Sequence, residues 1–196
     1  MGKLVLAATV VWLAAATAGN AQPVRPPDPA VLLAAQREAM KPLAWMHGRW
    51  QGEAWAVTPD GKRHELIQTE RVGPMLDGAI LVVEGKAFLR DGRPADFNAF
   101  GVIAYDPTAK AYVFQTHAQG RGGAFPLELT PDGWAWAAAA GPVKIRYVTT
   151  FRNGVWREVG DMTLPDGSTR RILEMNLKRV GDTDWPMAGQ AKAPGR

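Results

Sequence analysis

The residues able to do chemistry are few, and their spacing narrows what they can do. Cysteine is absent, so disulfides, thiolate metal sites and cysteine nucleophiles are all excluded. Ser168 is the single serine. It follows Pro165-Asp166-Gly167, a turn signature, and a turn serine is a poor nucleophile for a Ser-His-Asp triad. The three histidines are His47, His64 and His117. None is spaced as His-x-His or His-x-x-x-His, so no preorganised zinc site is expected and the metal reading is none. His64 sits beside a turn and His47 in a bend. His117 lies in "AYVFQTHAQG", where Tyr112, Phe114, Thr116 and Ala118 share one face. Gln115 and His117 share the opposite face by period-2 alternation. Either face could line an interior. The candidate ligand-binding residues are therefore Tyr112, Phe114, Gln115 and His117, with Tyr147 and Met175 from two later strands. The remaining polar residues within strands are Glu70, Arg71, Glu84, Arg146, Glu158 and Asp161. A buried charge must be paired to be tolerated. Glu70 or Glu84 with Arg71 or Arg146 could make such a pair inside, or all could sit on a solvated face.

These residues have to be positioned by strands. From Gly48 onward turn signals recur, among them Asp77-Gly78, Asp91-Gly92, Asn153-Gly154 and Pro165-Asp166-Gly167. Between them lie short runs of Val, Ile, Trp, Tyr, Phe and Thr. "VKIRYVTTF" puts Ile145, Tyr147, Thr149 and Phe151 on one face, and "RILEMNLKR" groups Leu173, Met175 and Leu177. The pattern predicts an all-β fold: an antiparallel, up-and-down β-barrel of about eight to ten strands with a short N-terminal helix. A barrel of that size can hold one small ligand.

The ends of the chain read differently. Lys3, the apolar run Leu4–Ala16 and Gly19-Asn20-Ala21 resemble an export signal, too short to span a bilayer comfortably. The expected organisation is a signal peptide over 1–21, a Pro-rich linker over 22–28, a helix over 29–42, a barrel over 43–181 and a disordered tail over 182–196. Asp28-Pro29 supplies an N-cap and a proline at the first helical position. The expected location is the periplasm, with no membrane span. Net charge is +4, with basic and acidic residues interspersed, which argues against a nucleic-acid stripe. "GRGG" at 120–123 reads as a loop and not as an RNA-binding element.

One stretch stands apart: "LAWMHGRWQGEAW", residues 43–55. Gly48-x-Trp50-x-Gly52 lies between the helical segment and the first alternating one. Gly48 permits a sharp bend, Trp50 can close a barrel end, and Gly52 permits close approach of another backbone. This arrangement resembles the calycins, in which a Gly-x-Trp on the first strand plugs the barrel floor. A basic residue from the last strand packs over that Trp in lipocalins, and Arg179, or Lys178, occupies the matching place. With "ERVGPMLDGAILVVEG", "GVIAYDPTAKAYVF" and "PDGSTRRILEMNLKRV", the chain resembles over about 40–180 a bacterial family of lipocalin-like barrels designated DUF1579. That resemblance implies a barrel with an apolar interior and no particular activity. A looser resemblance to the nitrobindins implies haem as a possible cofactor, with His117 as its ligand. The functional expectation is an exported, non-catalytic protein binding a small apolar or amphipathic molecule. The alternatives are a packed barrel without ligand, a haem barrel, or an enzyme pairing Glu70 or Asp161 with His117.

Overall fold

The computed structural model describes residues 26–58 and 60–186. The expected signal peptide, most of the linker, and residues 187–196 lie outside this range. Asp28 caps the helix α1 (Pro29–Met40) as its sequence predicts, its Oδ1 accepting from the backbone N–H of Ala30 at 2.9 Å. The helix stops two residues short of the predicted end. Pro42 does not terminate the chain's helical path. It falls in the first turn of a 3-10 segment, Lys41–Met46, where a missing N–H removes no internal bond. Leu43 and Met46 of that segment are fully buried.

Ten strands follow: β1 (Gly48–Val57), β2 (Arg63–Met75), β3 (Ile80–Phe88), β4 (Pro94–Asp106), β5 (Ala111–Ala118), β6 (Arg121–Thr130), β7 (Gly133–Ala140), β8 (Val143–Arg152), β9 (Val155–Thr163) and β10 (Thr169–Gly181). Each pairs antiparallel with its neighbour in sequence, and β1 pairs with β10 to close the barrel. Closure leaves no unpaired edge. The turn dipeptides behave as their chemistry requires. Asn153 and Gly154 have φ of 52° and 76°, the mirror-image turn that matches strand twist. "GRGG" is only partly a turn: Gln119 and Gly120 make the reversal, and Arg121 already begins β6.

The helical segment closes one end. Tyr112 donates its hydroxyl to the carbonyl of Ala39 at 2.5 Å, and Gln36 donates to the carbonyl of Tyr105 at 3.0 Å. Trp50 is 2 % exposed and its indole N–H donates to the Met46 carbonyl at 2.8 Å. Trp45 stacks on Phe151 at 4.8 Å and meets the edges of Trp50 and Trp156. These rings form the floor.

Both glycines of the motif are explained. Gly48 has φ of 138°, and a Cβ there would stand 2.9 Å from the Gly181 carbonyl. A Cβ on Gly52 would run into the backbone of Asn176 on β10. Arg179 lies opposite Trp50 across the β1–β10 ladder. It donates to the carbonyl of His47 at 3.2 Å and covers Gly48, so it fastens the turn that carries Trp50. Lys178 is exposed on the other face. Part of the expected tail is ordered against the barrel: a Cβ on Gly73 would touch the side chain of Trp185, and Arg71 lies over the Trp185 ring at 4.0 Å.

Candidate functional site

Above the floor the inward positions become small. Ala54 and Ala56 on β1, Gly85 on β3, Ala99 and Gly101 on β4 and Ala118 on β5 leave a cavity of about 180 Å³. Large rings enclose it. Phe114 meets Trp134 and Trp136 edge-on at 5.5 and 5.1 Å, and Trp136 stacks on Tyr147 at 4.5 Å. Tyr147 lies over Gly160, where an added Cβ would be 2.9 Å from its ring.

Two carboxyls enter this apolar space. Glu70 is 8 % exposed and lines the cavity. It lies opposite Gly85 across the β2–β3 ladder, and a Cβ on Gly85 would stand 2.7 Å from its Oε1. Glycine thus supplies the space that the carboxyl fills. The side-chain amide of Gln68 donates to Oε1 at 2.8 Å. Burial, opposed by the Gln68 hydrogen bond and helped by Glu158 and Glu84, pushes Glu70 up to about 8. Glu158 enters from β9, opposite Thr149 on β8. Fully buried Thr149 donates to its Oε2 at 2.6 Å. Burial raises Glu158 too, against that hydrogen bond. Burial, with Glu158 behind it, pushes the Tyr147 phenol up to about 12. Among the described residues, no Lys, Arg or His lines the cavity.

Of the six candidate ligand residues, Phe114, Tyr147 and Met175 line the cavity. Tyr112 shares their inward face but sits at the helical end, spent on Ala39 and packed against Tyr105 at 4.9 Å. Gln115 and His117 are exposed on the outer face. His117 covers Gly122, with an added Cβ there 2.5 Å from Nδ1. The barrel interior therefore offers no axial ligand from His117, and neither His47 nor His64 lines it. The catalytic alternative also comes apart. Glu70 lines the cavity while His117 is outside, and Asp161 is held by Arg171 at 2.9 and 3.1 Å. Of the two placements open to the strand charges, the outer one holds for the arginines: Arg71 meets Glu84 at 3.3 Å, on the face opposite Glu70, and Arg146 meets Glu128 at 3.5 Å.

Gln68, Thr149, Trp134, Trp136 and Trp156 also line or support the cavity but were not among the candidate site residues. The signal was available for Gln68 and Glu70. They follow Leu66 and precede Val72 at period 2, and both of those are buried.

No family model and no curated protein matches the chain. Among solved structures, the crystal structure of Rv2717c from M. tuberculosis is similar, with a TM-score of 0.55 and 12% identity. The match covers 72% of this chain and 97% of that one. The likeness is one of fold.

Proposed function

We propose that the barrel is a non-catalytic binding protein for a small apolar or amphipathic molecule. The observation that carries this reading is the cavity of about 180 Å³, walled by aromatic rings and carrying a few fixed polar groups. Ligand sites have this composition. An engineered apolar cavity of about 150 Å³ in another protein admits benzene, so the space here suits a ligand built on one ring. A packed barrel would have filled the positions that Ala54, Ala99 and Ala118 leave open. Kinship with the DUF1579 barrels is part of the same reading and rests on the ordered motifs.

Titration calorimetry with 2-phenylethanol tests it. Phe114→Ala should weaken binding by about 1–3 kcal/mol, the transfer free energy of a large apolar side chain. His117→Ala and Tyr112→Phe should leave it unchanged, because neither side chain reaches the cavity. Equal losses in all three variants, or no heat from any, would remove the cavity from consideration.

The proposed setting is the periplasm. It is supported by Lys3, the apolar run to Ala16 and the small residues before Gln22. N-terminal sequencing of protein from its native host should give a start at Gln22 or Gly19. An intact Met1 in a cytoplasmic fraction would overturn the assignment.

A further inference from the structure

We infer that the ligand is an organic amine, its ammonium received by Glu70 and Glu158 and its apolar body by the surrounding rings; this rests on the cavity being a binding site. Three observations converge. Two carboxyls line the cavity, and among the described residues no basic side chain lines it to neutralise them. Among the described residues, each carboxyl keeps one oxygen without a hydrogen-bond partner. Gln68 occupies only Oε1 of Glu70, and Thr149 only Oε2 of Glu158. Glu70 is more than nine-tenths buried, and its carboxyl lines the empty space. The walls meanwhile include Phe114, Trp136 and Tyr147, and aromatic rings attract cations.

Other ligand classes fit less well. A carboxylate or phosphate would bring negative charge to two acids with no cation to meet it. A divalent metal ion needs more ligands than two carboxyls, and no group of three or more His, Asp or Glu is assembled among the described residues. An ammonium supplies three donors and the missing charge. Without it, protons serve that purpose, which fits the upward displacement of both acids. Glu84 on β3 faces Arg71 and Lys86 on the outside and adds only a weak field.

The test uses the full mature chain, stripped of bound small molecules, and three probes sharing one ring and a two-atom arm: 2-phenylethylamine, 2-phenylethanol and phenylacetate. The amine should bind at least about tenfold more tightly than the alcohol, as a charge-assisted hydrogen bond allows, and phenylacetate should not bind. Glu70→Gln and Glu158→Gln should each remove most of that preference while the alcohol's affinity stays within about threefold. Glutamine keeps the shape and hydrogen bonding of each acid, and a thermal melt of each variant confirms folding. Amine binding should release protons near neutral pH, seen as a dependence of the heat on buffer ionisation enthalpy. If alcohol and phenylacetate bind as well as the amine, the cavity is a site but not an amine site. If the amine's preference survives both substitutions, the carboxyls do not receive it. If no probe binds, the amine inference and the binding-protein reading fall together.

Discussion

Trp50→Ala is expected to cost about 3–5 kcal/mol, the range for truncating a buried aromatic side chain. Three losses combine. The ring is 2 % exposed and its removal opens a hole between Trp45 and Trp156. The Met46 carbonyl loses its donor in a buried place. The 3-10 segment loses one of its fastenings to β1. Trp50→Phe separates these effects, keeping a ring and dropping the hydrogen bond, and should cost less. Arg179 holds the adjacent carbonyl, that of His47, and so fastens the same turn from β10. Its head is half exposed and also meets Asp182, so Arg179→Ala alone should cost little. The double variant should lose less than the sum, because once the turn is free the second fastening has nothing to hold. Urea midpoints with unchanged slopes would measure this. Strict additivity would show that the two side chains act on separate elements.

The architecture was readable from the sequence because turns and alternation are local signals. Asn153-Gly154 needs positive φ at both positions, and nothing distant alters that. The site was harder. Alternation divides β5 into two faces without saying which is inward. Phe114 and His117 were thus equivalent until the neighbouring strands fixed the face. Alternation is also silent on height along the barrel axis. Tyr112 shares a face with Phe114 yet meets the helix, while Phe114 meets the cavity.

The placement of Glu70 was left open for another reason. A carboxyl in a strand ordinarily marks the wet face, and its space is made by Gly85, fifteen residues further on. Trp185 is the same problem at the surface. Its docking place is the bare backbone of Gly73, and only the closed barrel brings the two together. The cavity likewise arises from small residues on several strands, none of which is unusual alone. The floor and the cavity are complementary uses of one inward face: large rings near the helical end, alanine and glycine above it. A motif that marks the floor therefore says nothing about the use of the space above it.

Glu70→Gln is expected to stabilise the protein at neutral and mildly alkaline pH by up to a few kcal/mol. Unfolded, the carboxyl titrates near its ordinary value of 4.5; folded, burial lifts it to about 8. Between those values the folded protein retains a proton that the unfolded chain has released. Stability from this group is therefore complete below about pH 4.5 and falls as pH rises toward about 8, by at most about 1.4 kcal/mol per unit. Glu158 adds a loss of the same sign. His47 acts oppositely, since burial lowers it and the unfolded chain takes up that proton first as pH falls. Asp161 is held low by Arg171 and belongs to the acid limb instead. A single pH curve mixes these contributions, whereas the difference between wild type and Glu70→Gln isolates one. Glutamine remains neutral throughout, keeps its contact with Gln68 and needs no proton to be buried. Chemical denaturation of both proteins in steps from about pH 4.5 to about pH 8.5 should give curves that coincide at the acid end and diverge steadily, the variant remaining the more stable. With a saturating amine bound to the wild type, the carboxylate gains its partner and the divergence should shrink. Parallel curves across the whole range would mean that Glu70 titrates as an ordinary solvated acid, and that the cavity holds water enough to keep it charged.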